Sequence, residues 1–166
     1  MSGDSAVQLL QLFEQHGIEV VVDGGWGVDA LLGKQTRPHR DLDIALAQKD
    51  TPQLRALLAT HGYQQVPRAA SWECNFVLGD SPGHEVDVHS YTHDVQGNLI
   101  SGVAYPYASL TGRGSIEGYP VRCIDAAWQV QFHTGYQLDE HDYQDVLALC
   151  EHFGLALPAE YERFSP

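Results

Sequence analysis

A chain of 166 residues, 43% hydrophobic and 19% charged, carries enough apolar material for one core and too much for a disordered segment. Twenty-two acidic against nine basic residues set the formal net charge at −13, which repels polyphosphate backbones and argues against a nucleic-acid partner. The same charge attracts cationic small molecules or serves solubility alone.

No apolar run approaches the roughly 20 residues that span a bilayer, so no membrane partner is expected. The N-terminus lacks the basic and apolar regions of a signal peptide. Three scattered cysteines, Cys74, Cys123 and Cys150, form no zinc or disulfide spacing. They fit buried structural thiols in a reducing, cytoplasmic setting.

In chain order, residues 5–16 place Val7, Leu9, Leu10, Leu12 and Phe13 on one broad stripe and predict a helix that stops at Gly17. The β-branched run 18–22 predicts a buried strand, broken by Asp23-Gly24-Gly25. Residues 26–33 predict a short helix ended by Gly33, and 40–47 alternate as a strand does. Thr51 and Pro52 open a helix that runs to Gly62. Two further strands, 73–79 and 84–90, flank Asp80-Ser81-Pro82-Gly83, a hairpin connection.

Residues 91–118, rich in Gly, Ser, Tyr and Pro, predict a long functional loop. A strand at 119–124, a helix capped by Asp125 and a last helix over 139–154 complete the chain. The expected fold class is α+β: a small mixed sheet flanked by helices, with a helical C-terminal part. Residues 1–166 read as a single domain, its core at about 5–98 and its loop and helical part at about 99–166.

The segment that carries chemistry is 23–46. Gly24 and Gly25 let a ligand approach the main chain closely, and the helix start behind them offers unpaired N–H groups and a positive dipole end, a seat for phosphate. On the next strand Asp41 and Asp43 point to one face, their Cα atoms ~6.5–7 Å apart, while Leu42, Ile44 and Leu46 point to the core. Two carboxylates beside a phosphate seat suit magnesium, which prefers oxygen ligands and keeps coordination sites for phosphate and water. Lys34, Arg37 and Arg40, three of the nine basic residues, cluster between helix and strand and supply a local positive field. Arg40 serves equally well as the partner of a neighbouring aspartate. In strand 84–90, Glu85, Asp87 and His89 share a face. Asp87 joins Asp41 and Asp43 as a third carboxylate if the two strands are neighbours, with Glu85, nearer the turn, as the competing choice.

These segments, with HEVDVHS and the C-terminal FHTGYQLDEHDYQDV, resemble the small antibiotic nucleotidyltransferases that modify lincosamides and aminoglycosides, within the superfamily related to DNA polymerase beta. The likeness runs from about residue 8 to about 154. It implies Mg²⁺ held by Asp41, Asp43 and Asp87, and a nucleoside triphosphate, ATP, bound near Gly24, Gly25, Lys34, Arg37 and Arg40. It implies a small cationic, hydroxyl-bearing acceptor near Glu85, His89, His133 and Tyr136, with Asp87 as the catalytic base. Asp139, Glu140 and Asp142 read as a helix cap, His133 equally as a hydrogen-bonded core histidine, and Tyr91, Tyr105 and Tyr107 as packing aromatics before stacking partners of a nucleobase or sugar. Two rival readings remain. One is a binding protein that keeps the fold without catalysis; the other is a zinc hydrolase built on Asp87, His89 and His93.

Overall fold

A computed structural model describes residues 1–164. One mixed sheet of eight strands organises it: β1 (Val20–Val22), β2 (Asp41–Ala47), β3 (Gln64–Val66), β4 (Asn75–Gly79), β5 (Glu85–His93), β6 (Leu99–Gly102), β7 (Gly112–Ile116) and β8 (Tyr119–Cys123). The spatial order is β3-β4-β5-β2-β1-β8-β7, with β6 paired to the far end of β5. Central β2 runs antiparallel to β1 and parallel to β5, so the sheet is mixed as expected.

Among the described residues five α-helices surround it: α1 (Gly3–Gln15), α2 (Gly24–Leu32), α3 (Thr51–Thr60), α4 (Ala126–Phe132) and α5 (Glu140–Phe153). Leu42, Ile44, Leu46, Val86 and Val88 form one buried cluster with Leu9, Leu10 and Phe13 of α1 and Leu54 and Leu58 of α3. This backs the sheet. α4 and α5 pack on α2 through a second cluster that includes Val28, Val130, Val146 and Leu149. No helix of the described residues is long and apolar enough to cross a membrane, and all three cysteines are free and buried.

Local chemistry sets the helix ends. Gly33 and Gly154 close α2 and α5 in the left-handed conformation, where a side chain would be strained. Asp139 opens α5 in a reciprocal capping box with Asp142, as the cap reading expects.

Three expectations need correction. Gly24 and Gly25 are not a turn ahead of the helix: α2 begins at Gly24, capped by Asp23. The stretch 91–118 is not one loop, because it holds the end of β5, all of β6 and β7, and a 3-10 turn at Tyr107–Thr111. Pairing supplies what composition hides: β7 (GRGSI) has weak strand character of its own and is held by five register partners on β8. The short edge strand β3, absent from the sequence reading, pairs with β4. The last two residues of the expected 1–166 span lie outside the described residues.

Candidate active site

Parallel pairing of β2 with β5 brings the acidic residues together. Asp43 is in register with Asp87, and Asp41 with Glu85. Neighbouring strands lie about 4.8 Å apart, so Asp43 and Asp87 are side-by-side carboxylates on one face. Burial drives the Asp43 carboxyl well above its ordinary value, and repulsion from Asp41, Asp23 and Asp87 adds to the rise. Burial likewise raises Asp87; His89 opposes the rise and Asp41 reinforces it. Asp87 Oδ1 is buried and has no hydrogen-bond partner. Among the described residues no three acidic, histidine or cysteine side chains form a ready-made metal cage. Magnesium sites commonly draw on one or two protein carboxylates, the remainder coming from phosphate and water.

The phosphate seat abuts this cluster. Gly24 has φ +56°, and a Cβ there would overlap the Asp43 carboxylate; at Gly25 it would meet the His39 ring and lie 2.7 Å from Arg37 Nη2. Both positions therefore demand glycine. The first turn of α2 carries no acidic side chain, and by helix geometry the Gly25 N–H has no intrahelical acceptor. Gln129, fully buried on α4, donates to the Gly24 carbonyl at 2.8 Å and so ties the C-terminal part to the seat.

The three cations of residues 34–40 separate. Arg37 returns to the helix start, where its guanidinium is clamped by buried Asp145 of α5, Nη2 donating at 2.6 Å and Nε at 3.1 Å. Lys34 is exposed just past Gly33, at the end of α2 opposite the seat; nine helical residues span about 13 Å. Arg40 is exposed at the foot of β2.

On β5, Glu85 is taken by Arg68, whose Nη2 reaches its two oxygens at 2.6 and 2.8 Å. His89 Nε2 faces Asp87 Oδ1 at 3.4 Å and its Nδ1 lies 3.0 Å from the Tyr105 hydroxyl. Among the described residues Asp87, His89 and His93 do not come together as a metal-ligand group, and His93 Nε2 donates to the Tyr105 carbonyl at 2.7 Å. In the C-terminal part, His133 Nδ1 donates to the Gln129 carbonyl at 2.8 Å and half-exposed Tyr136 donates to Asp142 at 2.7 Å. The structure does not bring these two into contact with the carboxylates.

Sequence reasoning missed Asp23, Asp29, His39, Tyr105 and Asp145. Asp29 and His39 form a buried pair that fixes the loop between α2 and β2, and the Thr36 hydroxyl and N–H donate to the same carboxylate at 2.5 and 2.9 Å. The available signal was Asp29 itself, the lone charge inside an otherwise apolar helix.

A glycine-opened helix aimed at paired carboxylates on the adjacent strand defines a nucleotidyltransferase. The model of the aminoglycoside-2''-adenylyltransferase family matches residues 5–149, and the chain belongs to that family. It is 30% identical over 144 residues to the lincosamide resistance protein of Staphylococcus haemolyticus, covering 83% of this chain and 88% of that protein. Among solved structures, lincomycin-bound lincosamide antibiotic adenylyltransferase LnuA is similar with a TM-score of 0.74 at 28% identity, over 86% of this chain and 92% of LnuA. ANT(2'')-Ia in complex with adenylyl-2''-tobramycin shares the fold, with a TM-score of 0.74 at 18% identity over 91% and 90% of the two chains.

Proposed function

We propose that this enzyme transfers AMP from ATP to a hydroxyl of a small cationic antibiotic of the lincosamide or aminoglycoside class, releasing pyrophosphate. The observation that carries the reading is the register of Asp43 with Asp87 beside the glycine-opened start of α2. The likeness to lincomycin-bound LnuA supports the acceptor class. The −13 charge suits a cationic acceptor.

Mg²⁺ fits the donor set. Burial, and after it repulsion from Asp41, Asp23 and Asp87, raises the Asp43 carboxyl, and Asp87 Oδ1 is buried without a partner. Both features call for a cation. Asp41, Asp43 and Asp87 would hold it, and when bound it supplies polarisation of phosphate oxygens and neutralisation of charge.

The chain's own residues do the remainder. The Gly25 N–H and the positive end of α2 seat the triphosphate, with Arg37, fixed by Asp145, adding charge at that point. Asp87 accepts the proton of the acceptor hydroxyl. The hydroxyl oxygen attacks the α-phosphorus, and pyrophosphate leaves on the opposite side. Glu85, bound by Arg68, borders the acceptor space, while His133 and Tyr136 shape its C-terminal wall. Residues 1–166 act as one nucleotidyltransferase domain. Lys34, at the far end of α2, and exposed Arg40 contribute a diffuse field.

Incubation with ATP or GTP, Mg²⁺ and a lincosamide–aminoglycoside panel, read by mass spectrometry, tests the reading. Adduct of a nucleoside monophosphate on one acceptor class supports it. Unchanged acceptors throughout the panel overturn it.

A further inference from the structure

The sheet face that carries Asp43 and Asp87 has a second concavity toward its other end. Ala47 and Tyr91 stand four residues beyond the two carboxylates on β2 and β5, about 13 Å along the strands. Between the two ends, Val21 and Ala45 lie in a buried cluster with Tyr105, Leu110 and Ile124. Past that cluster is a cavity of about 500 Å³, bordered by Ala47 and Tyr91 and within the size range of small-molecule sites.

Three of the nine basic residues of the chain line this cavity: Lys49 just after β2, Arg113 on β7 and Arg122 on β8. The two arginines are direct cross-strand partners in the β7–β8 register. Like charges placed opposite one another on antiparallel strands repel, so folding alone gives no reason for this pairing. Their neutralisation is incomplete. Arg122 Nη1 donates to Glu19 at 3.1 Å, but that glutamate is 83% exposed and the pair contributes little. Arg122 Nε is buried without a hydrogen-bond partner. Arg113 donates to the Gly112 carbonyl at 3.0 Å, and among the described residues neither Arg113 nor Lys49 forms an ion pair. Glu19 and Asp50 are the only acids lining the cavity, so its balance is positive in a chain whose total is −13.

Aromatic rings form the adjoining wall. Tyr91 and His93 have ring centroids 4.8 Å apart, and Tyr107, 64% exposed, meets His93 edge-on at 6.1 Å. An uncovered ring beside paired guanidinium groups offers a flat apolar face next to donors that match phosphate oxygens.

We propose that this cavity is a second anion site, separate from the seat at the start of α2, and that it takes a di- or triphosphate group. Arg113 and Arg122 hold the phosphate oxygens, and Lys49 adds charge from the end of β2. Three cations on separate elements suit several oxygens better than one carboxylate. The group is either free pyrophosphate or the phosphate chain of a nucleotide whose base lies against Tyr107. The proposal goes beyond the transferase reading and does not depend on it, since binding here requires no turnover.

The test is titration of metal-free protein with inorganic pyrophosphate, ATP and adenosine at about 0.15 M salt, followed in ¹H–¹⁵N spectra. Backbone and arginine Nε–H signals separate the cavity from the seat at Gly24 and Gly25. Pyrophosphate or ATP should shift Lys49, Arg113 and Arg122 saturably, with Kd of about 1 mM or tighter, and adenosine should not. Arg113→Gln, at an exposed position, should weaken this binding about tenfold, the loss of one charge-assisted hydrogen bond. Lys49→Gln, exposed in the turn after β2, should weaken it about threefold and keeps the test open whatever Arg113→Gln does to folding. ATP binding tighter than pyrophosphate, with a shift at Tyr107, supports the proposal with a nucleotide as ligand. ATP binding no tighter supports it with free pyrophosphate. Shifts that never saturate, shifts confined to Gly24 and Gly25, adenosine binding as tight as ATP, or affinity unchanged in the folded variants overturn it.

Discussion

On the back of β2, Leu42, Ile44 and Leu46 are fully buried in one cluster with α1 and α3. On its front, alternating with them, Asp41 and Asp43 face Glu85 and Asp87 across a 4.8 Å-scale strand spacing. Local preference, burial and packing agree on the back. On the front they conflict, because burial and three neighbouring carboxylates work against the charge of Asp43. A strand that satisfies every folding rule on one face and breaks several on the other marks the second face as functional.

Adjacent substitutions on β2 should therefore move stability and activity in opposite directions. Asp43→Asn should abolish transfer and raise the melting temperature of metal-free protein, since it removes a repelled carboxylate. Leu42→Ala should lower stability by about 2–5 kcal/mol through the cavity it leaves, with kcat of the folded fraction largely retained. Melting curves beside turnover assays check both. A folded Asp43→Asn protein with ordinary turnover removes the front face from catalysis.

Asp87→Asn comes next in size. General-base catalysis is typically worth about 10²- to 10⁴-fold, and turnover should fall within that range. Nucleotide affinity, measured by calorimetry with Mg²⁺ and a non-hydrolysable analogue, should change much less. Collapse of nucleotide binding together with turnover would make Asp87 chiefly a metal ligand.

The clamp between Arg37 and Asp145 contrasts with the front face as a cation–carboxylate pair that is satisfied. Arg37→Met should cost about 2–3 kcal/mol, below the roughly 3–5 kcal/mol of a fully buried pair because Arg37 is 26% exposed. Arg37→Met with Asp145→Leu should recover most of it. Chemical denaturation measures the difference, and a double variant no better than the single one would contradict the buried-charge explanation.

The smallest effect is a pH slope. The folded Asp43 carboxyl titrates above its ordinary 3.8. Metal-free folded protein then holds a proton that the unfolded chain has released, and this contribution to stability is present at low pH and lost as pH rises through the elevated value. The stabilisation by Asp43→Asn should accordingly grow with pH above 3.8, and saturating Mg²⁺ should reduce it. Paired melting series across pH, with and without Mg²⁺, read this directly.

Much of the back face was legible because alternation in 40–47 and 84–90 gives both the core side and the acidic side, and the parallel neighbours follow once the strands meet. The helix stop at Gly33 and the caps at Asp125 and Asp139 were equally local. What stayed hidden depends on distant partners. Gly114 of β7 is glycine because the Ala30 carbonyl of α2 lies where its Cβ would go, a contact no window around residue 114 contains. Tyr105 read as a packing aromatic, since Asp23 lies 82 positions earlier. The clamp on Arg37 was hidden in the same way, since Asp145 lies 108 positions away.

The central claim is that this site breaks a nucleoside triphosphate between its α- and β-phosphorus as an acceptor hydroxyl is modified. Following pyrophosphate, orthophosphate and modified acceptor together in one Mg²⁺-containing reaction with ATP tests it most directly. The account predicts one pyrophosphate for each acceptor modified, no orthophosphate, and loss of both signals in Asp43→Asn. Orthophosphate release, or pyrophosphate formed at the same rate without acceptor, would contradict it.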